Sequence, residues 1–219
     1  MDAKSILAGH PLFSAIPAAR MGALIASQKT CRFKAGTYVW RSGERVQKIC
    51  VVVEGLLQAS MPLHSGRHST VELFNRGDAV GCLTYLRKAG ALCDLRAVVN
   101  SVIACFPSTL AFESEPPESK WAISVARSIA LRFEKQIRLR AISFEPSRRK
   151  VPAILLWLHE STGSTIPLTQ AVLATIAGLS EETVCRTLSL LKDKGLVAVS
   201  RGVVRIPNPS ALERFVENH

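Results

Sequence analysis

Four things are missing from this 219-residue chain, and each absence narrows what it can be. No stretch approaches the roughly 20 uninterrupted apolar residues of a membrane span, and Met1-Asp2-Ala3-Lys4 leads into no long apolar run. A cytoplasmic location, with no membrane partner, is therefore expected. No CxxC pair occurs, and no His stands at metal-finger spacing from Cys31, Cys50, Cys82, Cys93, Cys105 or Cys185, so no metal site is expected. Most thiols should then be reduced, with Cys50 and Cys105, inside apolar runs, as plain core residues. Enzyme signatures are lacking as well: no paired carboxylates on a shared scaffold, no nucleophile motif, no Gly-rich loop followed by Lys-Ser/Thr. No catalytic residue is assigned. Acidic residues, finally, are outnumbered, 17 against 28 Lys and Arg, giving a net charge of +11 and a pI near 9.8. Such a balance favours polyanionic partners, nucleic acid first among them.

What is present has a clear order. With 47% hydrophobic residues the chain can build real cores. Residues 5 to 28 read as short helices around Pro11 and Pro17. Strands are then expected at Thr37–Arg41, Lys48–Glu54, Leu56–Met61, Ser69–Phe74, Asp94–Val99 and Val102–Phe106, punctuated by Gly36, Gly43, Gly55, Gly66, Gly77, Gly81 and Gly90. Many short strands with regular Gly turns suggest an antiparallel barrel or jelly roll. Glu113–Glu118, with Pro116 and Pro117, is the expected linker to a long helix over Trp121–Phe144.

Along that helix Ile123, Ala126, Ala130, Phe133 and Ile137 recur at steps of three and four, a heptad seam that calls for a partner helix. A second stripe, Val125, Ile129, Leu139 and Ile142, could instead pack on the helix's own domain. Both uses are expected, one stripe inward and one across a twofold axis. Glu145-Pro146 ends the helix, which divides the chain into 1–118, 119–145 and 146–219.

The last part carries the chemistry. Leu168-Thr169 opens a helical run through Ala177, Gly178 breaks it, and Ser180 can cap a second helix through Lys192. Leu173, Val184, Leu188 and Leu191 form the buried side of this helix-turn-helix. Glu182, Cys185, Arg186 and Ser189, at i, i+3, i+4 and i+7, form one exposed stripe. Arg186 is suited to the O6 and N7 of guanine, Glu182 to the amino group of cytosine or adenine, and Cys185 to a thymine methyl. Glu181 and Glu182 could equally serve only to complement the helix dipole. Leu196–Val199 and Val203–Ile206 flank Ser200-Arg201-Gly202 as a hairpin, whose Arg201 could reach phosphate or simply remain solvated.

This order of elements resembles the Crp/Fnr family of bacterial transcription regulators over essentially the whole chain. The likeness is carried by Leu168-Thr169-Gln170, by Glu182 through Leu188 and by Lys194-Gly195-Leu196. Phe33-Lys34-Ala35-Gly36, Gly43-Glu44, Val53-Glu54-Gly55 and Gly77-Asp78-Ala79-Val80-Gly81 extend it into the roll. The resemblance implies an α+β fold: an N-terminal antiparallel β-roll like those that bind cyclic nucleotides, a long dimerisation helix and a C-terminal winged helix-turn-helix. It implies a homodimer on double-stranded DNA, reading an inverted repeat with TTGA or TGTGA-like arms, with RNA polymerase as a candidate partner. Thr169, Ser180, Glu181, Glu182, Cys185, Arg186, Ser189 and Arg201 are then the candidate DNA contacts.

The family's sensor pocket falls on Gly81, Cys82, Leu83, Cys93 and Arg96. Cyclic-nucleotide members of the family place Glu where this chain has Cys82, and Arg-Ser or Arg-Thr where it has Ala91-Leu92. A buried phosphate would lose charge-assisted bonds of about 1.5 to 3 kcal/mol each. Cyclic AMP is therefore not the expected effector, and no cofactor is identified. Arg87, Lys88 and Arg96 remain as basic groups for another anion, and Cys82 with Cys93 as a thiol switch or as simple pocket filling. The competing function is a ligand- or thiol-responsive module that acts through protein partners.

Overall fold

A computed structural model of the chain describes residues 10, 12–13, 16, 18–62, 68–109 and 120–218. The chain divides into two compact units, 1–134 and 135–219. The expected linker 113–118 and the turn at Gly66 lie outside the described residues, as does most of the stretch before residue 18.

In the first unit, helix α1 (Ala18–Ala26) leads into strands β1 (Lys29–Phe33), β2 (Tyr38–Trp40), β3 (Lys48–Glu54), β4 (Leu57–Pro62), β5 (His68–Phe74) and β6 (Ala79–Val80). Then come α2 (Cys82–Leu86), β7 (Asp94–Ala97), β8 (Ser101–Pro107) and the long helix α3 (Lys120–Ser143). All strand pairs are antiparallel, and they form two four-stranded sheets, β1-β8-β3-β6 and β2-β7-β4-β5. That is the jelly-roll arrangement the Gly-punctuated strands suggest.

The composition of the strands follows from where their two faces go. Cys50, Val52, Ile103 and Cys105 from the first sheet meet Trp40, Leu57, Ala59, Phe74, Leu95 and Ala97 from the second, forming the core between the sheets. Ile49, Val51, Ala104 and Phe106, the alternate residues of β3 and β8, form a second core with Leu12, Phe13, Leu24 and Val125 of α3. The first sheet is buried on both faces. This is why β3 and β8 read as apolar runs with no polar alternation.

Several element boundaries differ from the sequence reading. β1 and β6 carry no strong period-2 signal, one because it is a largely exposed edge and the other because it has two residues, yet both pair with the sheet. β2 covers only Tyr38–Trp40 and carries a register shift between those two residues. β7 stops at Ala97, before a turn leads into β8. Cys50 and Cys105, expected as separate core residues, stand directly opposite each other on β3 and β8 and are joined as a disulfide.

The second unit continues from the end of α3 into α4 (Ser147–Thr162), β9 (Thr165–Ile166), α5 (Gln170–Ala177), α6 (Glu181–Asp193), β10 (Ala198–Ser200), β11 (Val203–Arg205) and α7 (Pro209–Asn218). β9 adds to the β10-β11 hairpin to make a three-stranded sheet. α7, absent from the sequence reading, starts where Asn208 Oδ1 accepts the Ala211 N–H at 3.1 Å, and it buries Leu212 and Phe215. Arg149 of α4 donates from Nε to the Val216 carbonyl at 3.0 Å and fixes its far end.

Gly81 tests the packing of the roll. It caps α2 in the left-handed region at φ 95°, and a β-carbon there would run into the Lys48 carbonyl oxygen. Gly36 has φ 85° but open space around it. Gly81→Ala should therefore destabilise by about 1–3 kcal/mol, and by more than Gly36→Ala, in urea unfolding monitored by circular dichroism. Equal losses would mean that conformation alone, without the close approach, explains Gly81.

Candidate nucleic-acid interface and sensor roll

The helix-turn-helix is assembled by its caps and its turn. Thr169 Oγ1 accepts the Val172 N–H and Ser180 Oγ accepts the Thr183 N–H, both at 3.2 Å, so each side chain starts a helix. Between them Gly178 turns the chain at φ 65°; a β-carbon there would touch nothing, so the conformation is its whole purpose. Leu173, Val184, Leu188 and Leu191 are buried, which locks α6 across α5.

That packing leaves Glu181, Glu182, Arg186 and Ser189 exposed on α6. Among the described residues, none of their side chains has a hydrogen bond or ion pair within the chain. Cys185 is only half exposed, and its thiol donates to Gln170 Oε1 at 2.8 Å, so its sulfur is not a free apolar contact. Gln170, the first residue of α5, is the neighbour that sequence reasoning passed over; its place directly after the capping Thr169 was the available signal. Arg201 is exposed in the turn between β10 and β11. A β-carbon on Gly202 would lie 4.0 Å from Thr169 Cγ2, so the hairpin tip sits beside the start of α5.

The roll arranges its expected pocket residues differently. Leu95 and Ala97 of β7 face the core between the sheets, so Arg96 between them projects from the other face. There its Nη2 donates to Gln58 Oε1 at 3.1 Å, and Gln58 Nε2 donates to Thr70 Oγ1 at 2.7 Å. Arg96 is therefore removed from the pocket. Leu83 is 44% exposed, and the buried Gly81 supplies the turn into α2. Cys82 belongs to the core beneath α3, with Phe106 and Val125, whereas Cys93 packs against the core between the sheets. The two thiols thus belong to different apolar clusters, and both are free.

Inside the roll stands an ion pair that no sequence motif announces. Glu72 of β5 lies on the same face as Phe74, two residues on, and Arg132 reaches it from α3. The guanidinium donates from Nε to Oε1 at 3.0 Å and from Nη2 to Oε2 at 2.7 Å, a bidentate fork. Its carbon lies 5.1 Å from the centre of the Phe74 ring. The two side chains are 21% and 13% exposed. Burial works against the Arg132 charge, but the hydrogen bonds and charge of Glu72 together outweigh it and raise its pKa.

Residues 149–215 match the Crp-like helix-turn-helix domain family, and residues 30–136 match the cyclic nucleotide-binding domain family. The chain belongs to the Crp/Fnr family of transcription regulators. It is 25% identical over 210 residues to the cyclic AMP receptor protein of Thermus thermophilus, a match spanning 94% of this chain and 97% of the relative. Among solved structures it is similar to a CRP-family transcriptional regulator of Thermus thermophilus, at 20% identity and a TM-score of 0.71, covering 85% of this chain and 96% of that one. FixK2 of Bradyrhizobium japonicum aligns with a TM-score of 0.73 at 15% identity, covering 86% and 96%. The exposed stripe on α6 therefore belongs to the DNA-binding helix-turn-helix of a Crp-family transcription regulator.

In this regulator the long helix turns two faces in different directions. Val125, Ser128 and Arg132 face the roll. Ile129, expected on the inward stripe, is 39% exposed, because the polar Ser128 and Arg132 take the positions beside Val125. Ile123, Phe133 and Ile137 are 68%, 66% and 54% exposed, with Ala126 and Ala130 exposed between them. No helix of the described residues is long and apolar enough to cross a membrane, and none of their side chains form a metal-binding group.

Burial pushes the Cys82 thiol up to about 11, partly opposed by the nearby Arg132 charge. Burial also raises Cys93, helped by Glu72 and Asp94 and opposed by Arg87. The thiolate is the reactive form. At pH 8 iodoacetamide should therefore label Cys31 and Cys185 well before Cys82 in folded protein, with all free thiols equal after denaturation. Mass spectrometry of the peptides reads the order, and early labelling of Cys82 would restore it as a candidate switch.

Proposed function

We propose that this regulator works as a homodimer on an inverted-repeat DNA site and that its roll does not take cyclic AMP. The observation that carries the reading is the stripe Glu182, Arg186 and Ser189, exposed on a capped, well-packed helix with no side-chain partners among the described residues. A side chain held by nothing in its own protein, on a helix the size of a major groove, is available to base edges. Arg186 reads guanine, and Glu182 accepts from the amino group of a neighbouring base. Thr169, Ser180 and Arg201, brought to one side by the caps and the hairpin tip, meet the phosphates. Glu181 stays on the helix dipole and Cys185 orients Gln170.

Ile123, Ala126, Ala130, Phe133 and Ile137 pair with the same residues of a second copy, which gives the exposed seam its burial. The two half-sites of the repeat are then expected about one turn of DNA apart, roughly 34 Å. Against cyclic AMP stand the groups inside the roll. Cys82 lies among apolar residues where the family's nucleotide-binding members hold the ribose, Ala91 is buried in the core, and Leu92 is 48% exposed. The Glu72 carboxylate occupies the guanidinium of Arg132, a cation that could otherwise hold a phosphate.

Selection from a random duplex library, at stated salt, should enrich an inverted repeat. On that site Arg186→Ala should cost about 1–3 kcal/mol and relax preference at one base pair of each half. An equal loss on every sequence would move Arg186 to the phosphate backbone. Phe133→Asp should convert the dimer to monomer in sedimentation, because it places a charge in a desolvated seam. A dimer that survives would place the twofold contact elsewhere.

A further inference from the structure

We propose that the Glu72–Arg132 ion pair is an internal substitute for an effector: it closes the roll onto α3 with the chain's own side chains, so that DNA is read with no ligand bound.

The fork joins strand β5 of the roll directly to α3. Glu72 points inward from β5 beside Phe74, and Arg132 comes from the face of α3 that also carries Val125 and Ser128. Two N–H groups on one edge of the guanidinium are taken by one carboxylate, and Phe74 lies beneath it. Asp78 and Cys82 lie close enough to contribute to the field at the same guanidinium. An anionic ligand entering the roll would have to displace a bidentate partner that is tethered and needs no concentration in solution.

The same fork sets the face that α3 shows outward. Consecutive helical residues diverge by about 100°, so pinning Arg132 on the roll turns Phe133 away from it. Phe133 is 66% exposed in the row with Ile123 and Ile137. Loss of the fork frees the helix to roll or fray at this point, and the seam loses its fixed direction. Arg132 is thus a positioning residue for the seam rather than a contact to any ligand or to DNA.

The test uses the full chain and two independent readouts. The first is hydrogen exchange of the amides of residues 124–134, which does not depend on any DNA activity. The second is affinity for the selected duplex, which rests on the reading of the chain as a DNA binder. In wild type, millimolar cyclic AMP should leave both unchanged within twofold. Glu72→Gln should speed exchange over 124–134 at least tenfold and weaken duplex binding about tenfold. The charge-swapped double variant E72R/R132E should restore protection, because it rebuilds the fork in reverse.

Wild-type exchange in folded Glu72→Gln protein overturns the proposal, and so does cyclic AMP that raises duplex affinity or protects the helix in wild type. If Glu72→Gln does not fold, the swapped variant decides: folded with protected amides supports the clamp, folded with exposed amides overturns it. If neither variant folds, wild type decides by cyclic AMP titration, where absence of any change in exchange or affinity supports the clamp. Wild type that shows the exchange pattern but binds the duplex only after a ligand is added overturns the fork as an effector substitute, whereas wild type that binds no duplex with or without cyclic AMP fails the DNA reading itself.

Discussion

Burying both faces of one β-sheet is the constraint from which the rest of this structure follows. A sheet covered on one side only by its partner sheet would expose Ile49, Val51, Ala104 and Phe106 to water. At about 25 cal/mol per Å2, burying a side chain of that class contributes about 1.5–3 kcal/mol relative to exposure. The chain meets the need with α1 and the first half of α3, whose Val125 enters the same core. Once α3 is held there by one face, its other face has no cover among the described residues. The apolar row from Ile123 to Ile137 is thus a consequence of the roll's topology as much as a feature of the helix.

The ion pair between Glu72 and Arg132 acts within that arrangement in a different way from the apolar contacts. Hydrophobic packing resists separation but tolerates sliding, since neighbouring apolar surfaces are nearly interchangeable. A bidentate fork tolerates neither, because two parallel hydrogen bonds at 3.0 and 2.7 Å define a direction as well as a distance. Its net stabilisation is small once desolvation is counted, whereas removal of one partner leaves a buried charge and costs about 3–5 kcal/mol. The physical role of such a pair is to specify one arrangement. Here the arrangement is the rotation of α3 about its own axis.

Local patterning made much of the fold legible, and long-range pairing made the rest opaque. The helix-turn-helix could be read because its caps, its glycine and its apolar spacing are all within 25 residues of one another. The jelly roll could be read as a class from Gly-punctuated strands, but not strand by strand: β1 and β6 are defined by partners far along the chain. Arg96 was misplaced because a family alignment gives position along a strand, and its face is decided by the neighbours Leu95 and Ala97. Cys50 and Cys105 sit in runs that look uniformly apolar, and only the register of β3 on β8 sets them opposite. Glu72 and Arg132 are 60 residues apart and look like any surface charges until the helix is laid on the roll.

Electrostatics in the second unit separates attraction from discrimination. Residues 135 to 219 carry 12 basic and 7 acidic side chains, an excess that favours any duplex through counterion release. The N-terminus of α6, with its free N–H groups, would on its own add one more generic phosphate site. Glu181 and Glu182 stand in its first turn and cancel that attraction. In the reading proposed above, such a helix end gains where a base offers an amino group to Glu182 and a guanine edge to Arg186, so the carboxylates weaken binding to wrong sequences as well as strengthening it to the right one, and specificity is the difference between the two.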